Sequence, residues 1–390
     1  MRFRRRAAIT VPLAVLGSAF ALKGVSYAAP HISSVPFVSG TEGFDTFRIP
    51  AVVRTRSGTL VAFAEGRGHS ASDTGEIRVV ARRSTDGGRS WGPLLVVAEA
   101  GTDTQGNPCP VVDPRTGRIL LLTCRNAGSV SEAQIMMGAI EDSQSRRVFV
   151  QHSDDDGLSW SPLREITSTA KRADWRWYAT GPGHGIALAD GRLVIPANHS
   201  IAPPDSSADT GAEARYYGGH DLYSDDAGRT WHIGCVDDHP DGVVNVNECA
   251  VAQLPDGRLY FNARDQKGTA AGVRCDAYSA DGGRTLLRPY RPQPALTGPV
   301  VQGSLLQVPG GPLLYAGPAD PAARRAMTLR SSPDGGANWS SVLEVSASPA
   351  AYSDLVHTGS GTVGLLYETG EEGPYEAIAF TSIPVPVAAL

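Results

Sequence analysis

Apolar residues in this chain come in short bursts, each cut off by a turn signal before a helical period can develop. Ala51–Thr55 and Gly58–Ala64 flank the turn Arg56-Ser57-Gly58, and similar bursts follow at Ile77–Ala81, Ile119–Thr123, Arg192–Pro196, Arg258–Asn262 and Gly364–Tyr367. Several are preceded by a T-G or D-G pair, at Thr116-Gly117, Asp190-Gly191 and Asp256-Gly257, where glycine takes the positive φ of a tight turn. The pattern predicts strands joined by hairpins. No stretch carries a convincing amphipathic helix; Ser131–Gly138 has room for a turn or two. With 44 Gly and 28 Pro, the chain reads as all-β and dense in tight turns.

A repeat overlies these bursts. S-x-D-x-G-x-[ST]-W occurs in full at Ser84–Trp91, Ser153–Trp160 and Ser224–Trp231. Ser279–Leu286 has lost the tryptophan, and Ser332–Trp339 has Asn338 in place of the second hydroxyl residue. In each copy the Asp is expected to accept backbone N–H bonds two residues on, the Gly to supply positive φ, and the Trp to cover a neighbouring apolar layer. A set of calcium loops fits poorly. Asp154-Asp155-Asp156-Gly157 has His152 where an EF-hand has its first ligand, and no other copy carries three acids. The boxes are therefore structural. Repeats of several short strands are the signature of a β-propeller, and about 360 residues divide into six four-stranded antiparallel blades of about 60 residues each. No Ser/Gly-rich linker marks a second domain, so residues 30–390 read as one.

Residues 1–29 stand apart. Arg2, Arg4, Arg5 and Arg6 precede the apolar run Ala7–Leu22, followed by small residues around Ala28-Ala29, the layout of a cleaved secretory signal peptide. The run is shorter than the roughly 20 residues a membrane-spanning helix needs. Its removal takes five of the 35 Lys and Arg and none of the 40 Asp and Glu, leaving a formal charge of −10. That balance argues against nucleic acid or an anionic membrane as partner. Cys109, Cys124, Cys235, Cys249 and Cys275 make an odd number, without CxxC or zinc spacing, so at least one is unpaired and no disulfide framework carries the fold.

Against this acidic background, Arg48 in Phe47-Arg48-Ile49-Pro50 stands out as a guanidinium between apolar neighbours. The residue before a proline is pushed to extended geometry, which makes this the entrance to a first strand. An unpaired buried guanidinium is costly, so Arg48 needs an anion to face.

This FRIP motif followed by several boxes resembles the sialidase (neuraminidase) family, specifically its small bacterial members built of the catalytic domain alone, from about Val38 to Phe380. The resemblance implies a six-bladed propeller that hydrolyses terminal α-linked sialic acids of glycans, glycoproteins or glycolipids, as a monomer and without cofactor or metal. Three arginines of that family hold the sugar's carboxylate, which arginine forks match bidentately. Arg48 resembles the first, Arg264 the second, and Arg324 the third, with Arg325 beside it as the alternative. Tyr352 resembles the nucleophile and Glu248 its base. Asp73, in a loop rich in Gly and Ser, resembles the general acid/base, whose pKa should rise under a bound sugar. Arg67 resembles the residue that meets the 4-hydroxyl, and Trp175, Trp177, Tyr178 and Gly181–His184 lie where the family lines its pocket. A binding propeller without catalysis would lack Asp73, Glu248 or Tyr352; all three are present. Transfer in place of hydrolysis, and preference for a deaminated sialic acid, stay open.

Overall fold

The computed structural model describes residues 31–202, 217–237, 243–266, 268, 272–359 and 361–385; the expected leader at 1–29 lies outside them. Strands dominate, as the apolar bursts predict. Among the described residues they form four sheets, of seven, five, four and eight strands. Within each sheet the pairing is antiparallel between chain neighbours, apart from one parallel bridge, Ile77 to Thr104, inside the eight-stranded sheet. The long strand Ser340–Gly359 divides its partners: its first half pairs with Arg325–Ser332 and its second with Thr362–Thr369. His31–Val38 pairs with Ala377–Pro384, so the two ends of the described chain lie edge to edge.

The core is a series of apolar clusters, each shared by neighbouring groups of strands. Val61 and Phe63 meet Ile119 and Leu121; Leu120 and Leu122 meet Leu193 and Ile195; Val194 meets Val251 and Phe261. Tyr260 then meets Tyr315, Leu314 meets Leu365, and Phe380 with Leu366 returns to Val52 and Leu60. The series closes on its starting strands.

The box turns sit at the outer ends of these clusters. Ser84 Oγ donates to Asp86 Oδ1 at 2.8 Å and accepts from Gly88 N at 2.8 Å, while Arg89 N and Ser90 N each donate to Asp86 Oδ1 at 3.0 Å. The carboxylate thus reaches N–H groups three and four residues on, and not two as expected. The degenerate copy at Ser332–Trp339 keeps the arrangement, because the Asn338 side-chain amide donates to Asp334 Oδ2 at 2.7 Å where Thr230 donates its hydroxyl to Asp226. Trp91, Trp160, Trp231, Leu286 and Trp339 each pack against a different cluster, so the leucine copy fills the same role with a smaller side chain.

Two expectations change. The first described strand is His31–Val38, and Arg48 lies inside the strand Thr46–Arg54, not at its entrance. Ile49 is not extended either: its φ is 57°, in the left-handed region that a β-branched side chain rarely adopts. The register shift between Arg48 and Ala51 explains it: the strand bulges here, and the bulge overrides the pre-proline preference. The predicted short helix is present as Glu132–Met136, capped by Ser131 with Gln134 reciprocating.

Candidate active site

One cavity of ≈ 170 Å³ collects Arg48, Arg67, Asp73, Glu248, Arg264, Arg324 and Tyr352, so these seven candidates reach the same space. The backbone achieves this with bulges. Register shifts fall at Arg48/Ala51, Gly106/Cys109, Val246/Cys249 and Ala350/Ser353, the strand segments that carry Arg48, Asn107, Glu248 and Tyr352. An extra residue breaks the alternation of a strand and re-aims a side chain. Ile49, Asn107 and Ala326, the last two residues beyond Arg324, all have positive φ. Backbone strain of this kind costs on the order of 1–3 kcal/mol per residue and persists only where the surroundings enforce it.

Glu368 is the enforcing group at the first bulge. Its fully buried carboxylate accepts Arg48 Nε at 3.2 Å, the Ile49 N–H at 2.9 Å and the Tyr352 N–H at 3.1 Å. One anion therefore fixes a guanidinium, a strained peptide and the backbone of the candidate nucleophile. Burial pulls the Arg48 pKa down, and Glu368 with the nearby tyrosines more than reverses this, so the guanidinium stays charged.

On the cavity floor, the Tyr352 hydroxyl donates to Glu248 Oε1. Arg264 Nη1 donates to Glu248 Oε2 at 2.9 Å and to the Tyr352 oxygen at 3.2 Å. Burial, then the Glu248 carboxylate, push the phenol's pKa well up, against the pull of Arg264 and Arg48; unaided, it stays protonated. A phenol hydrogen-bonded to a carboxylate, with a guanidinium on both, is a nucleophile waiting for its proton to be taken.

Asp73 stands at the mouth with 72% of its side chain exposed, 2.8 Å from Arg67 Nη2 and 3.8 Å from Arg48 Nη1. Partial burial of its carboxylate raises the pKa, but Arg67 and Arg48 outweigh that and hold it below the ordinary range. Two guanidiniums facing the acid thus oppose the rise expected of it beneath a bound sugar. Arg67 is itself set by Glu65, whose Oε2 accepts Arg67 Nη2 at 2.7 Å.

The two neighbouring arginines differ in placement. Arg324 lines the cavity, whereas Arg325 is exposed and donates to Ala347 O at 3.2 Å. Arg264 pairs with Glu248 and not with the adjacent Asp265, which accepts Asn245 N instead. Of the expected pocket-lining group, Trp177 lines the cavity. Trp175 and Tyr178 are buried in the apolar cluster behind it, and His184 lines a separate cavity with Val52 and Leu355, bonded to Asp354 at 2.8 Å. Sequence reasoning missed Glu65, Asn107, Glu132, Arg146 and Glu368. Asn107 and Arg146 are hydrogen-bonded to each other, and Arg146 stacks 4.2 Å over the Trp177 ring. Glu132 accepts from the Tyr217 hydroxyl at 3.1 Å, and burial raises its pKa. The one local signal among these residues is Glu368, an acid ending the apolar burst Gly364–Tyr367.

Residues 58–365 match the BNR repeat-like domain family. An exo-alpha-sialidase of Aspergillus fumigatus is 31% identical over 373 residues, covering 88% of this chain and 83% of that protein. A sialidase of Micromonospora viridifaciens is 32% identical over 85% of this chain, which spans about half (51%) of that longer protein. Among solved structures, the Hadza microbial sialidase Hz136 superposes with a TM-score of 0.77 at 29% identity, covering 89% of this chain and 67% of that one. The chain belongs to the sialidase family of glycoside hydrolases.

Proposed function

We propose that this protein is a retaining exo-α-sialidase, releasing terminal α-linked sialic acids from glycoconjugates through a tyrosyl-glycosyl intermediate. The observation that carries the reading is the Tyr352–Glu248–Arg264 contact facing Arg48 and Arg324 in one cavity. The anomeric carbon of a sialic acid bears a carboxylate, which repels an anionic nucleophile; a neutral phenol avoids that clash. Arg48, Arg264 and Arg324 bind the substrate's carboxylate. Asp73 gives its proton to the departing glycosidic oxygen as Tyr352 bonds to the anomeric carbon and passes its own proton to Glu248. Water then attacks the same carbon while Asp73 takes a proton from it, and the phenolate leaves and recovers its proton from Glu248. Positive charge developing on the ring is met by the anions already in place. A sugar seated between Asp73 and the arginines takes over part of their positive field, and the acid's pKa rises toward a value useful for proton donation.

The architecture we infer is six four-stranded blades around this cavity. It is supported by the single parallel bridge in the eight-stranded sheet, by the division of Ser340–Gly359 between two partners, and by the closed series of clusters. Export through the leader at residues 1–29 is part of the same reading, resting on its charge and apolar pattern.

The test is a parallel assay of fluorogenic N-acetylated and deaminated α-sialosides, with the first-formed product followed by NMR. Release of the free α-anomer is expected. An initial β-anomer overturns retention, an anhydro sugar makes the enzyme an internal transferase, and no release from either substrate overturns the assignment.

A further inference from the structure

Tyr375 does not line the cavity, yet it touches two of the three arginines that do. It sits in the loop between the strands Thr362–Thr369 and Ala377–Pro384. That loop is shaped by Glu376, whose carboxylate accepts the N–H groups of Glu371 at 3.1 Å, Glu372 at 2.8 Å and Gly373 at 2.7 Å. Ser39 ties the loop to the strand of Arg48: its hydroxyl donates to Tyr375 O at 2.8 Å and accepts from Phe47 N at 3.1 Å. The ring packs against the small cluster of Ile49, Val301, Ala351 and Tyr352. Its centroid is 4.0 Å from the Arg48 guanidinium carbon, and its hydroxyl accepts from Arg324 Nη1 at 2.5 Å.

The charges explain why a tyrosine is suited here. Arg48 is countered by Glu368 and Arg264 by Glu248. Among the described residues, Arg324 has no carboxylate within ion-pair distance; it is held by the Tyr375 hydroxyl and by Val300 O at 3.1 Å. A carboxylate at position 375 would spend that charge. A phenol hydroxyl fixes the guanidinium's direction, while the ring face attracts Arg48 electrostatically. We propose that Tyr375 is the positioning residue that sets Arg48 and Arg324 at the spacing of one planar carboxylate and leaves Arg324 without a directly paired carboxylate until substrate arrives. The inference rests on the three-arginine reading of the site.

Tyr375→Phe removes the hydroxyl and keeps the ring; Tyr375→Leu removes both. The probes are a 2,3-unsaturated sialic acid analogue and its neutral primary amide, titrated calorimetrically, with turnover of an aryl sialoside alongside. Tyr375→Phe is expected to weaken the acid about tenfold, the worth of one hydrogen bond to a charged group. Its affinity for the amide should change less than about twofold, since the lost interaction acts through charge. KM should rise more than kcat falls, and Tyr375→Leu should exceed Tyr375→Phe. Unchanged acid affinity in Tyr375→Phe, or equal losses for acid and amide, overturns the role. Arg48→Ala separates the two levels: if it binds the acid like the wild type, the three-arginine reading itself fails. If it loses the acid while Tyr375→Phe does not, only the role of Tyr375 falls.

Discussion

The outer turns and the inner bulges of this protein solve opposite problems with similar materials. At the periphery, five box turns use one Ser and one Asp in near-identical fashion, each capping an apolar cluster with a large side chain. At the cavity, the bulges at Arg48, Asn107, Glu248 and Tyr352 face one space but share no sequence. The turns satisfy their own backbone locally, so they tolerate loss of the Trp or exchange of Thr for Asn. The bulges depend on distant partners, above all Glu368, and each is fitted to one side chain. Stability is repeated and interchangeable; chemistry is assembled once.

That contrast predicts a graded response to mutation. Tyr352→Phe should cut turnover of an aryl sialoside by about a thousandfold or more while thermal unfolding is unchanged, since it removes the attacking atom and little packing. A variant that turns over at near wild-type rate would strip Tyr352 of its role. Glu368→Gln should damage both properties. The amide puts an NH2 group where one of two oxygens now accepting four donors stood, and it leaves Arg48 buried without its counter-charge, a loss of about 3–5 kcal/mol. Denaturant unfolding measured beside kcat/KM checks this, and loss of activity at full stability would show that Glu368 holds no strain.

Asp221 lies in neither region, and its effect is set by pH. Buried and bonded to the Cys235 N–H at 2.9 Å, its carboxyl is pushed up to about 7 by burial, against the pull of Cys235 and Arg192. In the unfolded chain it titrates near the ordinary 3.8. Between these values the folded state holds the extra proton, so stability falls as pH rises and the loss is complete above about 7. Asp221→Asn should melt higher than wild type at pH 8 by a wider margin than at pH 5. Equal margins would exclude this titration as the cause. The smallest effect belongs to a box: Asp226→Ala should cost about 1–2 kcal/mol and leave KM untouched, because the carboxylate's bonds stay within one turn. A change in KM would mean that box turns and cavity are coupled.

The same division explains what could be read from the sequence. Box turns, D-G hairpins and the capped helix at Glu132–Met136 are short-range chemistry, visible within a few residues. Arg48, Arg264, Arg324, Glu248, Tyr352 and Asp73 were legible because their local motifs resemble a family, and all six meet in one cavity. Glu368 was not, because what makes it special is a partner 320 residues away in sequence. Ile49 was misread as extended for the same reason. The preference of a pre-proline residue is local, while the carboxylate that holds its N–H comes from the far end of the chain. The lowered titration of Asp73 was not legible either, since it is governed by Arg67 and Arg48, which face it in the fold.

Glu368 also couples activity to the history of the polypeptide. A chain made from its N-terminus has Arg48 early and the carboxylate that orients it near the end, so no intermediate length can hold the substrate's anion correctly. Fragments trimmed from the C-terminal side before Glu368 should be silent even where most strands have formed. Turnover is in that sense a receipt for a finished molecule, issued only when the strands of Arg48 and Glu368 have met.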